Sequence, residues 1–142
     1  GKIAIPEANV HTTAYWLSFH ERAVEGLRRD ELAAGLDGVG HLARNLAPVY
    51  CLCDPHDIGV SAQVKSPYNG RPVVFLYDSV PGGVGLAERL FDVREELVEA
   101  CLGLVNACTC PNGCPGCVGP QVEANSPAKK AARMMLERVL GR

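Results

Sequence analysis

One short stretch carries the densest chemistry in the chain. Cys108-Thr109-Cys110-Pro111-Asn112-Gly113-Cys114-Pro115-Gly116-Cys117 brings four thiols into a single loop. Zinc asks for four tetrahedral ligands at ~2.3 Å from sulfur, and closed four-cysteine sets are structural rather than catalytic. Cys114-Pro115-Gly116-Cys117 is a zinc-knuckle pattern in which a Pro-Gly turn lets two thiolates converge on one ion. Cys108 and Cys110 offer the second pair, and Asn112-Gly113 lets the chain reverse between the pairs. Two other readings compete. Four thiolates also suit an iron–sulfur cluster. A local disulfide such as Cys114–Cys117 would give a thioredoxin-like redox protein, although the pattern does not open a helix after a strand as that chemistry requires.

The chain holds seven cysteines, and an odd total packed so tightly fits a disulfide framework poorly. Cys101 falls on the apolar stripe of the preceding helix and is expected in the core. Cys51 and Cys53 are expected to be buried small hydrophobes. The sequence opens with no basic-then-apolar leader, and no window approaches the ~20 apolar residues of a membrane span. The expected setting is cytoplasmic, where thiols stay reduced. A start at Gly1 rather than Met suggests a processed or excised piece of something longer.

Other constellations are weaker. Pro81-Gly82-Gly83-Val84-Gly85 sits between a strand and a helix, where backbone amides can hold a phosphate, but a tight packing turn is the favoured reading. Val73–Asp78 imitates an apolar strand ending in a magnesium-binding aspartate, and alone means little. No G-x-x-x-x-G-K-[ST] occurs, so this chain carries no P-loop. Asp54-Pro55-His56-Asp57 offers acid/base groups and supports a small-hydrolase alternative, but such strings are more often turns capped by Asp side chains. His11 and His41 are read as structural rather than as ligands. Lys129, Lys130 and Arg133 form a basic face on the last helix, read as solvated, with nucleic-acid contact as the alternative.

The elements that must hold the cysteine loop follow from periodicity. Val10–Phe19 alternates as a strand. Glu21–Leu36 is helical with a break near Gly26 or Gly35, and Gly38–Ala47 has helical spacing until Pro48 ends or kinks it. Val60–Ser66 and Arg71–Tyr77 flank Asn69-Gly70 as a hairpin, and Pro72–Tyr77 is apolar enough to be central. Leu86, Leu90, Leu97, Cys101, Leu104 and Val105 mark one long helix before the cysteine loop. Ser126-Pro127 opens the last helix, whose apolar face is Ala132, Met135, Leu136, Val139 and Leu140. The predicted fold is mixed α/β: a small sheet with a central hairpin covered by helices, and a four-cysteine zinc knot between two C-terminal helices.

At 142 residues the chain makes one domain, able to bury roughly 68–70% of its unfolded surface. Its 14 Lys+Arg against 16 Asp+Glu exclude a histone-like electrostatic binder but not a local basic patch.

Five strings in this order add a resemblance. They are His11-Thr12-Thr13-Ala14-Tyr15-Trp16-Leu17, Gly40-His41-Leu42-Ala43-Arg44-Asn45-Leu46-Ala47-Pro48, Cys53-Asp54-Pro55-His56-Asp57-Ile58-Gly59, Tyr77–Glu88 and the Cys108–Cys117 knot. Together they resemble the C-terminal zinc-binding domain, once a domain of unknown function, of MrfA/YprA-like superfamily 2 DEAD/DEAH-box helicases. The resemblance implies Cys108, Cys110, Cys114 and Cys117 as ligands of a structural Zn2+. It implies residues 1–142 as one accessory domain, a C-terminal fragment of a larger helicase. ATP and Mg2+ would belong only to the parent motor, which unwinds DNA 3′ to 5′ in DNA repair. The implied partners are the motor domains in cis and single-stranded DNA, with no membrane. Some relatives carry a further Cys-Gly-Asn after the knot, where this chain has Gln121–Asn125; a four-ligand site does not need it. The expected function is therefore a non-catalytic accessory domain that braces a helicase motor or guides a DNA strand. The alternative of another class is a stand-alone thiol or iron–sulfur redox protein.

Overall fold

The computed structural model describes residues 2–4, 13–51, 54–65, 70–78, 86–119, 121 and 125–141. Among them an antiparallel sheet runs in the order β1-β2-β4-β3. The strands are β1 (Lys2–Ala4), β2 (Thr13–Ser18), β3 (Ile58–Gln63) and β4 (Val73–Asp78). The helices are α1 (Glu21–Val24), α2 (Arg29–Tyr50), α3 (Leu86–Asp92), α4 (Arg94–Ala107) and α5 (Ala128–Val139). The mixed α/β architecture with its central hairpin is as expected.

β4 is central because its residues can be covered on both faces. Val74 and Leu76 point one way and Val73 and Phe75 the other, and all four are buried. It pairs with β2 through Ala14↔Tyr77 to Ser18↔Val73 and with β3 through Ile58↔Asp78 to Gln63↔Val73. Tyr15 and Leu17 of β2 and Val74 and Leu76 of β4 form one sheet face. Against it lie Val39 and Ala43 of α2, Leu97, Val98 and Cys101 of α4, and Leu136 of α5. The turn at residues 66–69 and the glycine-rich 79–85 segment, like His11 and Cys53, lie outside the described residues.

Two helix boundaries differ from expectation. The break near Gly26 is present, with Gly26 at φ 84° between α1 and α2. Gly35 and Pro48, however, interrupt nothing: α2 is one helix of 22 residues. Its glycines are places of close approach. A Cβ on Gly35 would lie 2.8 Å from Met135 Sδ and 2.9 Å from Ala131 Cβ, and one on Gly40 2.7 Å from Val60 Cγ1. The missing side chains let α5 on one side and β3 on the other press against the α2 backbone. Pro48 falls in the last turn, where it withdraws the N–H that the Arg44 carbonyl would accept, and α2 ends two residues later at Tyr50. The long helix expected over 86–105 is instead two, broken at Val93 with φ −105° and ψ 19°. Arg94 fastens the joint, donating to the Phe91 carbonyl at 2.7 Å and covering the Phe91 ring at 4.2 Å.

The α2–α5 contact yields a direct test. Gly35→Val is expected to lower unfolding free energy by about 1–3 kcal/mol through overpacking against Ala131 and Met135, measured by urea denaturation; an unchanged midpoint would refute the close-approach account.

Candidate metal centre

The cysteine loop is held from three sides. α4 ends at Ala107, and the Cys108 N–H still donates to Leu104 O at 3.0 Å, so Cys108 leaves the helix in a fixed direction. The knuckle closes by Cys117 N–H and Gly119 N–H donating to Cys114 O at 3.0 and 2.9 Å. Gly113, at φ 145°, makes the reversal between the two pairs. A Cβ there would strike Gly119 O at 2.8 Å and Val118 Cγ2 at 2.9 Å.

The four sulfurs converge within 4.8 Å of one another. Cys108 Sγ lies 3.4 Å from both Cys110 Sγ and Cys114 Sγ, Cys110 Sγ 3.4 Å from Cys117 Sγ, and Cys114 Sγ 3.7 Å from Cys117 Sγ. Bonds of ~2.3 Å to one tetrahedral ion require sulfur–sulfur edges of roughly 3.8 Å, so the cluster fits a single zinc ion. The edges are too long for disulfides, whose sulfurs lie ~2.05 Å apart, and all four side chains are unbridged. A cage enclosing several irons would need its thiolates farther apart. Among the described residues this is the one group of three or more side chains able to hold a metal.

Without an ion, the thiols are unequal. A hydrogen bond from the Cys110 backbone N–H, then hydrogen bonds with the Cys110 and Cys114 thiols, bring the Cys108 thiol down to about 7. Burial first, then its hydrogen bond with Cys110, pushes Cys117 up to about 12.

Three residues outside the loop secure it. His41 Nε2 lies 2.8 Å from Pro115 O, which makes that nitrogen the donor, and Asn45 Nδ2 donates to the same carbonyl at 3.2 Å. Both stand one turn apart on α2 and hold the tip of the Pro-Gly knuckle. Lys129 Nζ donates to Cys108 O at 2.7 Å and to Cys110 O. Helical periodicity had placed Lys129 on the solvated face of α5; it is instead buried at 5% exposure. The correction has a local cause. α5 begins one residue later than expected, at Ala128, whose N–H donates to Ser126 Oγ at 3.3 Å, and its first turn abuts the knot. Ala132, Met135 and Leu136 are buried as predicted, but Val139 is exposed and Leu140 half-buried.

The other candidates stay apart. Cys101 and Cys51 are core residues as expected, and burial pushes the Cys101 thiol up to about 12. Asp54 accepts from the His56 N–H and from its Nδ1, each at 2.9 Å, in an exposed turn over Pro55–Asp57. These bonds, the backbone one foremost, lower the Asp54 pKa. Asp78 is buried at the end of β4 but joins no metal-capable group among the described residues. No described helix is long and apolar enough to cross a membrane.

Comparison with known proteins agrees with this geometry. Residues 39–118 match the model of the MrfA Zn-binding domain family. The chain is 39% identical over 123 residues to the uncharacterized ATP-dependent helicase YprA of Bacillus subtilis strain 168, covering 87% of this chain and 16% of that protein. It is 29% identical over 86 residues to the uncharacterized protein MJ1572.1 of Methanocaldococcus jannaschii, covering 58% of this chain and 77% of that protein. Its fold superposes on a crystal structure of the DUF1998 helicase MrfA bound to DNA with a TM-score of 0.78 at 35% identity, over 89% of this chain and 17% of that one. The chain therefore spans about a sixth of the two helicases.

Removing the metal should be severe, because structural zinc contributes ~10–16 kcal/mol of apparent binding free energy against ~5–15 kcal/mol of total stability. Chelation is expected to disorder at least 108–119 and to lower the melting temperature; unchanged melting and amide-exchange protection would contradict this. A metal ion must also displace the protons of the thiols that bind it, so affinity should rise with pH. Competition against a chromophoric chelator checks it, and a flat profile would refute ligation by thiolates.

Proposed function

The chain belongs to the MrfA Zn-binding domain family, and on that basis we propose that it is a zinc-stabilised, non-catalytic accessory domain of an ATP-dependent DNA helicase, supporting unwinding in DNA repair. Residues 1–142 act as one domain of a longer chain whose motor binds ATP and Mg2+. Cys108, Cys110, Cys114 and Cys117 are the zinc ligands, and a cytoplasmic setting keeps their thiols reduced. The observation that carries this reading is the shared architecture with a DNA-bound helicase, of which the chain accounts for a small part.

What the residues do is mechanical. Zinc joins the end of α4 to the turn before α5, while His41 and Asn45 lock the knuckle onto α2. The helical layer becomes a stiff block against which a motor can brace. Guidance of single-stranded DNA is the second role. With a net charge of −2, phosphate contact would have to be local. The groove where Arg22, Arg71 and Arg138 outnumber Glu21 is the place for it, whereas Glu95, Glu96 and Glu99 outnumber Arg94 in a groove less suited to phosphate.

The test uses the full helicase that contains this chain. A Cys114→Ser, Cys117→Ser double variant is expected to lose strand separation by roughly tenfold or more while the motor keeps ATP hydrolysis. Unwinding equal to the parent would refute the accessory role. Metal analysis of the parent should give a colourless protein with one zinc per chain; visible iron absorbance would favour the redox alternative.

A further inference from the structure

Lys129 presents an electrostatic problem that the described side chains do not solve. The residue is buried at 5% exposure, and its ammonium donates to two backbone carbonyls, Cys108 O and Cys110 O. Carbonyl dipoles satisfy N–H groups but do not cancel a charge, and a buried unpaired cation is costly. Among the described residues no carboxylate lies within ion-pair distance of it. The position adds to the cost. Lys129 is the second residue of α5, a helix of 12 residues, and so sits at the positive end of the helix dipole. Two independent terms thus demand a negative group beside Lys129, and the four-cysteine cluster is what lies there.

The charge of a loaded cluster supplies the answer. Four thiolates and one divalent ion carry a net charge of −2 in a half-buried site. We propose that Lys129 is the built-in counter-cation of the four-thiolate centre, a positioning residue that neutralises half of the net charge and clamps Cys108 and Cys110 through their carbonyls. The inference rests on the reading of Cys108, Cys110, Cys114 and Cys117 as zinc ligands. It makes α5 part of the metal site: the helix delivers a cation that is stabilised only when the metal-thiolate anion has formed. Loading then favours docking of the α5 N-terminus, and docking favours loading, by reciprocal linkage. An ammonium suits the position because its three N–H groups can serve two converging carbonyls as a compact point charge.

The experiment compares the parent chain with Lys129→Met, which keeps the stem and removes the charge, and with Lys129→Arg, which keeps the charge. Zinc affinity is read by competition with a chromophoric chelator, and melting is followed with zinc and after chelation. Loss of an outer-shell partner costs roughly 10–100-fold in metal affinity, and Lys129→Met is expected to fall in that range. Lys129→Arg should recover much of the loss. Lys129→Met should lower the melting temperature of the zinc-loaded form and leave the chelated form unchanged. A purely structural lysine would destabilise both forms alike, and that result overturns the proposal. So does zinc affinity of Lys129→Met within about twofold of the parent, or an equal loss in both variants. Should Lys129→Met not fold, a folded, zinc-retaining Lys129→Arg upholds the role of charge, and failure of both variants overturns it. A parent chain that binds no zinc refutes the four-ligand reading itself, an outcome distinct from normal parent binding with an unaffected Lys129→Met.

Discussion

Four thiolates repel one another, and only a cation at their centre can hold them within 4.8 Å. Much of the helical layer can be understood as what that convergence requires. Cys108 must leave α4 in a fixed direction, so the helix ends on a retained hydrogen bond rather than by fraying. Cys114 and Cys117 must face back toward it, so the chain turns through Gly113 and Pro115-Gly116. The tip of that turn would otherwise swing freely, and His41 and Asn45 take its Pro115 carbonyl from α2, 74 and 70 positions away in sequence. Each support acts on the backbone of the loop, leaving the sulfurs to the ion.

The same constraint explains the surface of α2. A helix with Gly35, Gly38 and Gly40 gives up helix propensity at each of them, by roughly 1 kcal/mol relative to Ala. What it gains is proximity. Gly38 lies under Val118 and Ala132, where an added Cβ would come within 3.1 and 3.2 Å of them. Val118 directly follows the last cysteine, so this glycine lets the metal loop sit down on the core. Propensity loses here to packing because burying Val118 and Ala132 together against the helix recovers more than the glycine gives up.

The cluster itself was legible in the sequence because Cys108, Cys110, Cys114 and Cys117 lie within ten residues of one another, so spacing alone suggested their convergence. The antiparallel pairing of β3 with β4 was legible for the same reason, since the two strands are neighbours in sequence. β4 declared itself central by being apolar at nearly every position. What stayed hidden depends on distance along the chain. Gly35 reads locally as a break, and only the arrival of α5 makes it a contact. The long helix before the knot was read as continuous because its apolar stripe carries through Val93, where the backbone nevertheless turns. Lys129 follows the rule that lysines point outward, and the carbonyls that override the rule belong to residues 19 and 21 positions earlier. His41 was read as structural, which it is, but nothing local says that its partner is the metal loop.

These contacts decide whether the metal is peripheral or integral. A peripheral site would expose its loop and leave the main core intact when emptied. Here Cys117 is fully buried and Val118 nearly so, and both belong to the same cluster as Leu36, Leu42, Met135 and Leu136. The last cysteine of the loop and its neighbour are thus core residues. Freeing the loop would withdraw Val118 from Gly38 and expose the α2–α5 seam at its middle. Burial of a valine side chain contributes ~1.5–3 kcal/mol, and the seam beneath it would lose water exclusion as well. A metal held by this loop would therefore be coupled to the packing of α2 against α5.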